Sequence, residues 1–169
     1  MLPPPANFIG RKKQLVALER KAKEGGTRII GLSGMGGIGK STLAKKLAKN
    51  LSTLFPAGNI YLNLLGLAEE QISIHVQTQV IKALCRESLV KQENLQDDYQ
   101  KILENKKVLI FLDNMQDVNQ LSKLEPPKGC LLILTTTANN NSKSNKYTID
   151  RIRPFDEEES EEYLSNEVA

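Results

Sequence analysis

A glycine-rich stretch, GMGGIGKST, occupies residues 34–42 of this chain. Its first eight residues match the phosphate-loop pattern of glycine, four residues, glycine, lysine, and serine or threonine. The apolar stretch RIIGL comes before it, and residues 40–54 after it carry apolar side chains at helical spacing. A strand, a glycine loop and the start of a helix direct successive backbone amides at one anion. The stretch therefore predicts a phosphate-binding loop.

The residue types in this loop predict separate contacts with a nucleotide. Glycines let the backbone curl and approach the phosphates closely. We expect Lys40 to reach the β- and γ-phosphates, the Ser41 hydroxyl to bind Mg²⁺, and Thr42 to meet the α-phosphate. The predicted nucleotide-binding residues of the loop are Gly34, Met35, Gly36, Gly37, Ile38, Gly39, Lys40, Ser41 and Thr42.

A second candidate site residue ends an apolar run. VLIFL at 108–112 is followed by Asp113 and Asn114. A carboxylate after a buried strand can hold Mg²⁺ beside a phosphate loop, so Asp113 is predicted as a metal ligand and, with Lys40, as a catalytic residue. The alternative is that Asp113 caps a helix over 117–123. Many hydrolases with this loop carry a second carboxylate where this chain has Asn114, and an amide cannot act as a general base, so fast turnover is not expected.

Apolar runs alternate with helical patterns along the chain. NIYLNLL at 59–65, VLIFL and CLLIL at 130–134 suit buried strands, and helical spacing is found between them. This alternation predicts an α/β fold with a parallel sheet covered on both faces. A short strand at 147–149 and an acidic helix at 156–168 are predicted to follow, and the proline-rich residues 1–7 are predicted to form a linker.

Composition argues against several classes of protein. No apolar run approaches the ~18 to 20 residues of a membrane span, and the first residues lack the features of a signal peptide, so we expect a cytoplasmic protein with no membrane partner. Cys85 and Cys130 fit no metal-ligand spacing and are predicted to be buried free thiols.

The first 50 residues carry eleven Lys and Arg against two Asp and Glu. They lack interleaved aromatic residues and any recognition motif, so nucleic acid is not the predicted partner.

Several stretches together resemble the NB-ARC domain, the nucleotide-binding domain of the STAND class of signalling NTPases, which is related to AAA+ ATPases. The resemblance covers nearly the whole chain. It is carried by FIGR at 8–11, GMGGIGKST at 34–42, LIFLDN at 109–114, LLILTTT at 131–137 and IRPFDEEESEEYL at 152–164.

The resemblance implies a domain over residues 8–169 with a three-layer P-loop NTPase core. Its five-stranded parallel sheet would have the order 5-1-4-3-2, with helices on both faces. The resemblance also implies ATP or ADP with Mg²⁺ as ligand, and Ile9 and Arg11 as contacts on the adenine side. On the sequence alone, Ile9 is equally a core residue and Arg11 a solvated helix start. The helical-lid and winged-helix segments of the family are expected to lie outside this chain.

The function that the resemblance implies is a switch. ADP would hold the full protein closed, and exchange for ATP would permit self-association and signalling by appended domains, with slow or absent hydrolysis. Thr137 stands where the family often has an arginine that senses the γ-phosphate, so discrimination of ATP from ADP is left open. The alternative function is a turnover ATPase that remodels nucleic acid or protein.

Overall fold

Strands and helices alternate along the chain. The structure, a computed structural model, describes residues 11–85, 92–138 and 147–151. Its helices are α1 (Lys12–Lys23), α2 (Lys40–Leu51), α3 (Ile72–Leu84), α4 (Leu95–Leu103) and α5 (Leu121–Leu124). Its strands are β1 (Ile29–Ser33), β2 (Gly58–Asn63), β3 (Val108–Asp113), β4 (Leu131–Thr136) and β5 (Tyr147–Arg151). The predicted α/β class is therefore confirmed.

The strands of the described residues form one parallel sheet in the order β2-β3-β4-β1-β5. Read from the other edge, this is the predicted order 5-1-4-3-2. Strand β4 lies between β1, which leads into the glycine loop, and β3, which ends at Asp113. Because all five strands are parallel, their carboxyl ends meet at one edge of the sheet.

Two hydrophobic cores lie on opposite faces of the sheet, because successive side chains of a strand point to opposite faces. In β3, Leu109 and Phe111 pack with α1 and α2, whereas Ile110 and Leu112 pack with α3, α4 and α5. The side chains on both faces of β3 are fully buried, which explains why its sequence is a continuous apolar run. The face that carries α1 and α2 is called the α2 face below.

Most predicted elements are found with ends shifted by one to three residues. The helix predicted over 40–54 becomes a 3-10 turn at Ser52–Leu54, and the helix predicted over 117–123 is a 3-10 turn at Val118–Gln120 followed by α5. The predicted linker and acidic helix lie outside the described residues. Within the described ranges, no helix combines the length and apolar character that a membrane crossing requires.

The two cysteines differ in burial. Cys130 is buried and free, as predicted. Cys85 is free but only half-buried, because it follows the last turn of α3. The prediction that both thiols are buried is therefore wrong for Cys85.

Candidate phosphate-binding site

The glycine loop leaves the sheet at its carboxyl edge and ends at the start of α2. The backbone amide of Gly34 donates to the carbonyl oxygen of Thr136 at 3.2 Å, which ties the loop to β4. Gly37 and Gly39 have φ angles of 79° and 97°. Side chains with a Cβ atom rarely adopt such angles, so glycine at these two positions permits the curl of the loop. The loop and the first turn of α2 adjoin, as the motif predicted.

Lys40 folds back over the loop that precedes it. Its Nζ atom donates to the carbonyl oxygens of Gly34 at 2.8 Å and Met35 at 2.7 Å. The residue is only 8% exposed. Burial lowers the pKa of Lys40, and the nearby carboxylate of Asp113 partly opposes that shift. The ammonium group is therefore held inside the loop by carbonyl oxygens that a phosphate could replace.

The carboxylate of Asp113 accepts hydrogen bonds from three hydroxyl groups. Its Oδ1 atom accepts from Ser41 Oγ at 2.7 Å and from Thr135 Oγ1 at 2.5 Å. Its Oδ2 atom accepts from Tyr61 Oη at 3.1 Å. The three donors satisfy the oxygens of a carboxylate that is only 4% exposed. These hydroxyls come from α2, β4 and β2, so the carboxylate joins three elements.

The two-residue repeat of the strands explains this convergence. In β3 the α2 face carries Leu109 and Phe111, and Asp113 continues that series. In β4 it carries Leu131 and Ile133, and Thr135 continues that series in the same way. Ser41 lies in the first turn of α2, which covers this face. The sheet therefore directs both strand residues toward the helix that follows the glycine loop.

Tyr61 is half-buried beside the same carboxylate. Its ring packs against Phe111, with 5.1 Å between the ring centroids and 59° between the ring planes. Burial, and then the negative charge and hydrogen bond of Asp113, raise the pKa of Tyr61 to about 12. The phenol is thus a neutral donor at physiological pH.

Asn114 has a left-handed backbone and an engaged side chain. Its φ angle is 61°, and its backbone amide donates to Thr135 Oγ1 at 3.0 Å. Its Nδ2 atom donates to Asn63 Oδ1 at 2.9 Å, which links the ends of β3 and β2. The alternative that Asp113 caps a helix is wrong, because the side chain of Asp117 caps the next turn by accepting from the amide of Asn119 at 2.9 Å.

Arg11 lies behind the glycine loop at the start of α1. Its Nη2 atom donates to the carbonyl oxygen of Ile38 at 2.9 Å, and its Nη1 atom donates to Gln14 Oε1 at 3.1 Å. It is 3% exposed, so the alternative of a solvated helix start is wrong. Its predicted adenine contact stays a prediction. Ile9 lies outside the described residues.

The remaining predicted residues lie near these groups. Thr42 is half-buried in the first turn of α2, beside Ser41. Met35, Gly36 and Gly37 are exposed at the tip of the loop. Thr137 is exposed just after β4. The structure thus brings the loop, Ser41 and Asp113 together at one edge of the sheet.

Three residues of this cluster, Tyr61, Asn63 and Thr135, belong to none of the predicted motifs. Each lies on the α2 face of its strand, near the carboxyl end. Following the alternate residues of β2 and β4 that point to the α2 face would have found them, once the sheet order placed these strands on either side of β3.

A groove of about 600 Å³ opens at the opposite, amino-terminal edge of the sheet. Arg28, which precedes β1, and Lys107, which precedes β3, line it together with Phe55. It is separated from the glycine loop by the length of the strands, so it is not part of the candidate site.

Comparison with known proteins agrees with this geometry. The sequence profile of the NB-ARC domain matches residues 11–169. The chain belongs to the NB-ARC domain family. This NB-ARC chain therefore has the fold and phosphate loop of a P-loop NTPase nucleotide-binding domain.

Similar proteins include bacterial regulators and plant resistance proteins. The chain is 30% identical to the regulatory protein AfsR of Streptomyces coelicolor over 112 residues, which are 63% of this chain and 11% of AfsR. It is 32% identical to the disease resistance protein RPS4 of Arabidopsis thaliana over 120 residues, which are 69% of this chain and 10% of RPS4. The chain thus spans about a tenth of the length of these relatives.

Solved structures share the fold. A STAND protein with a tetratricopeptide repeat sensor from Pyrococcus horikoshii has a TM-score of 0.65 at 18% identity, covering 99% of this chain and 26% of its own. Cdc6p from Pyrobaculum aerophilum has a TM-score of 0.60 at 18% identity, covering 96% of this chain and 50% of its own.

Proposed function

We propose that this chain binds ATP or ADP together with Mg²⁺ and acts as the nucleotide-dependent switch of a signalling protein. One observation carries the proposal. The Lys40 ammonium and the Ser41–Asp113 pair flank a glycine loop at the carboxyl edge of a parallel sheet. Ligands of open α/β sheets bind at this edge, and exposed loop residues leave room for phosphates.

The loop supplies the chemistry for phosphate. Lys40 would exchange its two carbonyl partners for oxygens of the β- and γ-phosphates, and the amides of the loop would face the same charge. The exchange replaces neutral acceptors with charged ones, so each new contact joins opposite charges. Burial of Lys40 strengthens its attraction for an anion further.

Ser41 and Asp113 fit Mg²⁺. Both offer hard oxygen atoms, and the two side chains already touch at 2.7 Å. Among the described residues no three His, Cys, Asp or Glu side chains come together, but Mg²⁺ on a nucleotide needs only one or two protein groups besides phosphates and water. When bound, the metal would neutralise phosphate charge. Asp113 and Ser41 would hold it against the loop.

The choice of adenine rests on family membership. Arg11 supports the site from behind, because its guanidinium holds the carbonyl of Ile38. We propose that Arg11 and Ile9 border the base, with Arg11 also fixing the loop.

Hydrolysis is proposed to be slow. Asn114 follows the metal-binding carboxylate, and its amide already donates to Asn63. An amide cannot take a proton from water near neutral pH, so the site lacks a general base at this position. Lys40 and Asp113 would stabilise the transferring phosphoryl group without activating water efficiently.

A slow site suits a switch, since the bound nucleotide then persists. The similar proteins include a regulatory protein and a resistance protein, and the stretches that match this chain are 11% and 10% of their lengths. We propose that appended domains read the nucleotide state and that the ATP-bound protein self-associates in the cytoplasm.

Direct titration tests the binding part of this proposal. The purified chain would be titrated with ATP, ADP and GTP, with Mg²⁺ and with a chelator, after any carried-through nucleotide is removed. Saturable, Mg²⁺-dependent binding that favours ATP and ADP over GTP is expected. Equal binding of all three would refute adenine selectivity, and no binding would refute the proposal.

Phosphate release separates the switch from the turnover ATPase. We expect steady release far below ~1 s⁻¹, the low end of ordinary enzyme rates. Release at or above that rate, lost in Asp113→Ala, would favour the ATPase.

A further inference from the structure

The two oxygens of the Asp113 carboxylate are held by different groups. Ser41 and Thr135 both donate to Oδ1, whereas Tyr61 alone donates to Oδ2 among the described residues. We propose that Tyr61 is a positioning residue, which fixes the plane of the Asp113 carboxylate for Mg²⁺. This inference rests on the proposed nucleotide function and assigns a role to a residue outside the loop motif.

The sheet register explains how Tyr61 reaches this carboxylate. Tyr61 in β2 lies opposite Phe111 in β3, and Asn63 lies opposite Asp113. Tyr61 is therefore the diagonal neighbour of Asp113 on the α2 face. A long aromatic side chain can span the distance between two such positions. Packing of its ring against Phe111 fixes the direction of the phenol. A shorter side chain at this position would not reach Oδ2.

Two donors on one oxygen leave the carboxylate free to rotate. Hydrogen bonds from Ser41 and Thr135 fix the position of Oδ1. They do not by themselves fix the position of Oδ2, because the carboxylate can still turn about Oδ1. A donor on Oδ2 removes this freedom before the metal arrives. In metal sites, losing a partner that orients a ligand typically weakens metal binding by about 10- to 100-fold.

The phenol of Tyr61 could instead weaken Mg²⁺ binding. If Oδ2 itself had to bind the metal, the phenol would block it, and removing the hydroxyl would tighten Mg²⁺ binding. The sign of the change therefore tests the positioning role.

The test measures ATP affinity against Mg²⁺ concentration in the chain and in Tyr61→Phe. We expect the Mg²⁺ concentration that gives half of the increase in ATP affinity to rise about tenfold in the variant. This is the low end of the range for the loss of a group that orients a metal ligand. Affinity for ATP in chelator should stay within twofold, because the loop and Lys40 are unchanged. If Tyr61 only stabilised the fold, Tyr61→Phe would lower the affinity for ATP equally with Mg²⁺ and with chelator.

Tyr99→Phe is the matched control. Tyr99 Oη donates to the backbone oxygen of Leu124 at 2.8 Å, in the core on the other face of the sheet. This variant loses a buried hydrogen bond and should keep the Mg²⁺ dependence. The chain has no tryptophan, so tyrosine emission is directly observable. A Mg²⁺-dependent change in emission should survive in Tyr99→Phe and disappear in Tyr61→Phe.

An unchanged or lower Mg²⁺ requirement in Tyr61→Phe would overturn the positioning role and leave the proposed function intact. Absence of ATP binding by the unsubstituted chain would overturn the proposed function, and this inference with it.

Discussion

Thr135→Val removes one hydroxyl from the centre of the candidate site. Thr135 Oγ1 donates to Asp113 Oδ1 at 2.5 Å and accepts from the backbone amide of Asn114 at 3.0 Å. The residue is 1% exposed, so water cannot replace either partner without rearrangement. Valine has the same shape, so the change isolates the hydroxyl.

The expected loss of stability follows from these contacts. A hydrogen bond to a charged group contributes ~1.5–3 kcal/mol, and an amide left without its acceptor costs ~1 kcal/mol, the low end of the range because Asn114 is half-buried. The additional buried methyl group returns ~0.8 kcal/mol. We therefore expect Thr135→Val to lower the free energy of unfolding by about 2–3 kcal/mol.

Urea unfolding of the ligand-free chain measures this loss. With a slope of ~2 kcal/mol per molar urea, the midpoint should fall by about 1 M. Thr136→Val is the matched control: Thr136 is also 1% exposed, but its hydroxyl accepts one neutral hydrogen bond, from the amide of Ala138 at 3.1 Å. The free energy of unfolding of Thr136→Val should fall by less than ~1 kcal/mol. Equal losses in both variants, or a loss below ~1 kcal/mol in Thr135→Val, would show that the hydroxyl of Thr135 does not stabilise the fold through its bonds to Asp113 and Asn114.

The remaining predictions concern hydrolysis and alkaline stability. Asn114→Asp supplies a carboxylate next to Asp113, the proposed metal ligand, and should raise phosphate release at least about tenfold, because a general base typically contributes ~10²–10⁴-fold. Asn105→Asp is its control, since Asn105 also has a left-handed backbone, with φ of 58°, and release in that variant should not change. Burial raises the pKa of Tyr99, so its folded phenol stays protonated at pH values where the unfolded phenol ionises. The contribution of Tyr99 to stability is therefore complete below pH ~10 and is lost as pH rises above that value. Urea unfolding between pH 8 and 11 should show this fall in the free energy of unfolding. Tyr99→Phe should make the fall less steep, and the part due to the raised pKa of Tyr61 should remain.

Local patterns predicted the parts of the site that lie close together in sequence. The glycine loop, Lys40 and Ser41 occupy one stretch, and Asp113 ends a strand that is apolar on both faces. The strand–loop–helix context is encoded in these neighbouring residues. Their positions at a strand end, in a loop and at a helix start could be predicted from these local patterns, whereas their contacts with nucleotide stay predictions.

Contacts across the sheet could not be predicted in this way. Tyr61 and Thr135 reach Asp113 only because β2 and β4 flank β3, and that order came from family resemblance rather than periodicity. The burial of Arg11 depends on how α1 packs behind the loop, which its charged sequence does not indicate. Nonlocal packing decides such positions, so they require the structure.

Nucleotide binding by the glycine loop is proposed to depend on Lys40. Its most direct test compares ATP affinity, in Mg²⁺, among the unsubstituted chain, Lys40→Ala and Lys49→Ala. Lys49 is an exposed residue of the last turn of α2, so its variant removes the same charge from the same helix outside the loop.

We expect Lys40→Ala to weaken ATP binding at least about tenfold, since a hydrogen bond to a charged group contributes ~1.5–3 kcal/mol and ~1.4 kcal/mol is tenfold in affinity. Lys49→Ala should bind ATP within about twofold of the unsubstituted chain, because an exposed charge contributes little. Circular dichroism would check that both variants are folded. Equal ATP affinity in the unsubstituted chain and in folded Lys40→Ala would show that Lys40 does not bind the nucleotide.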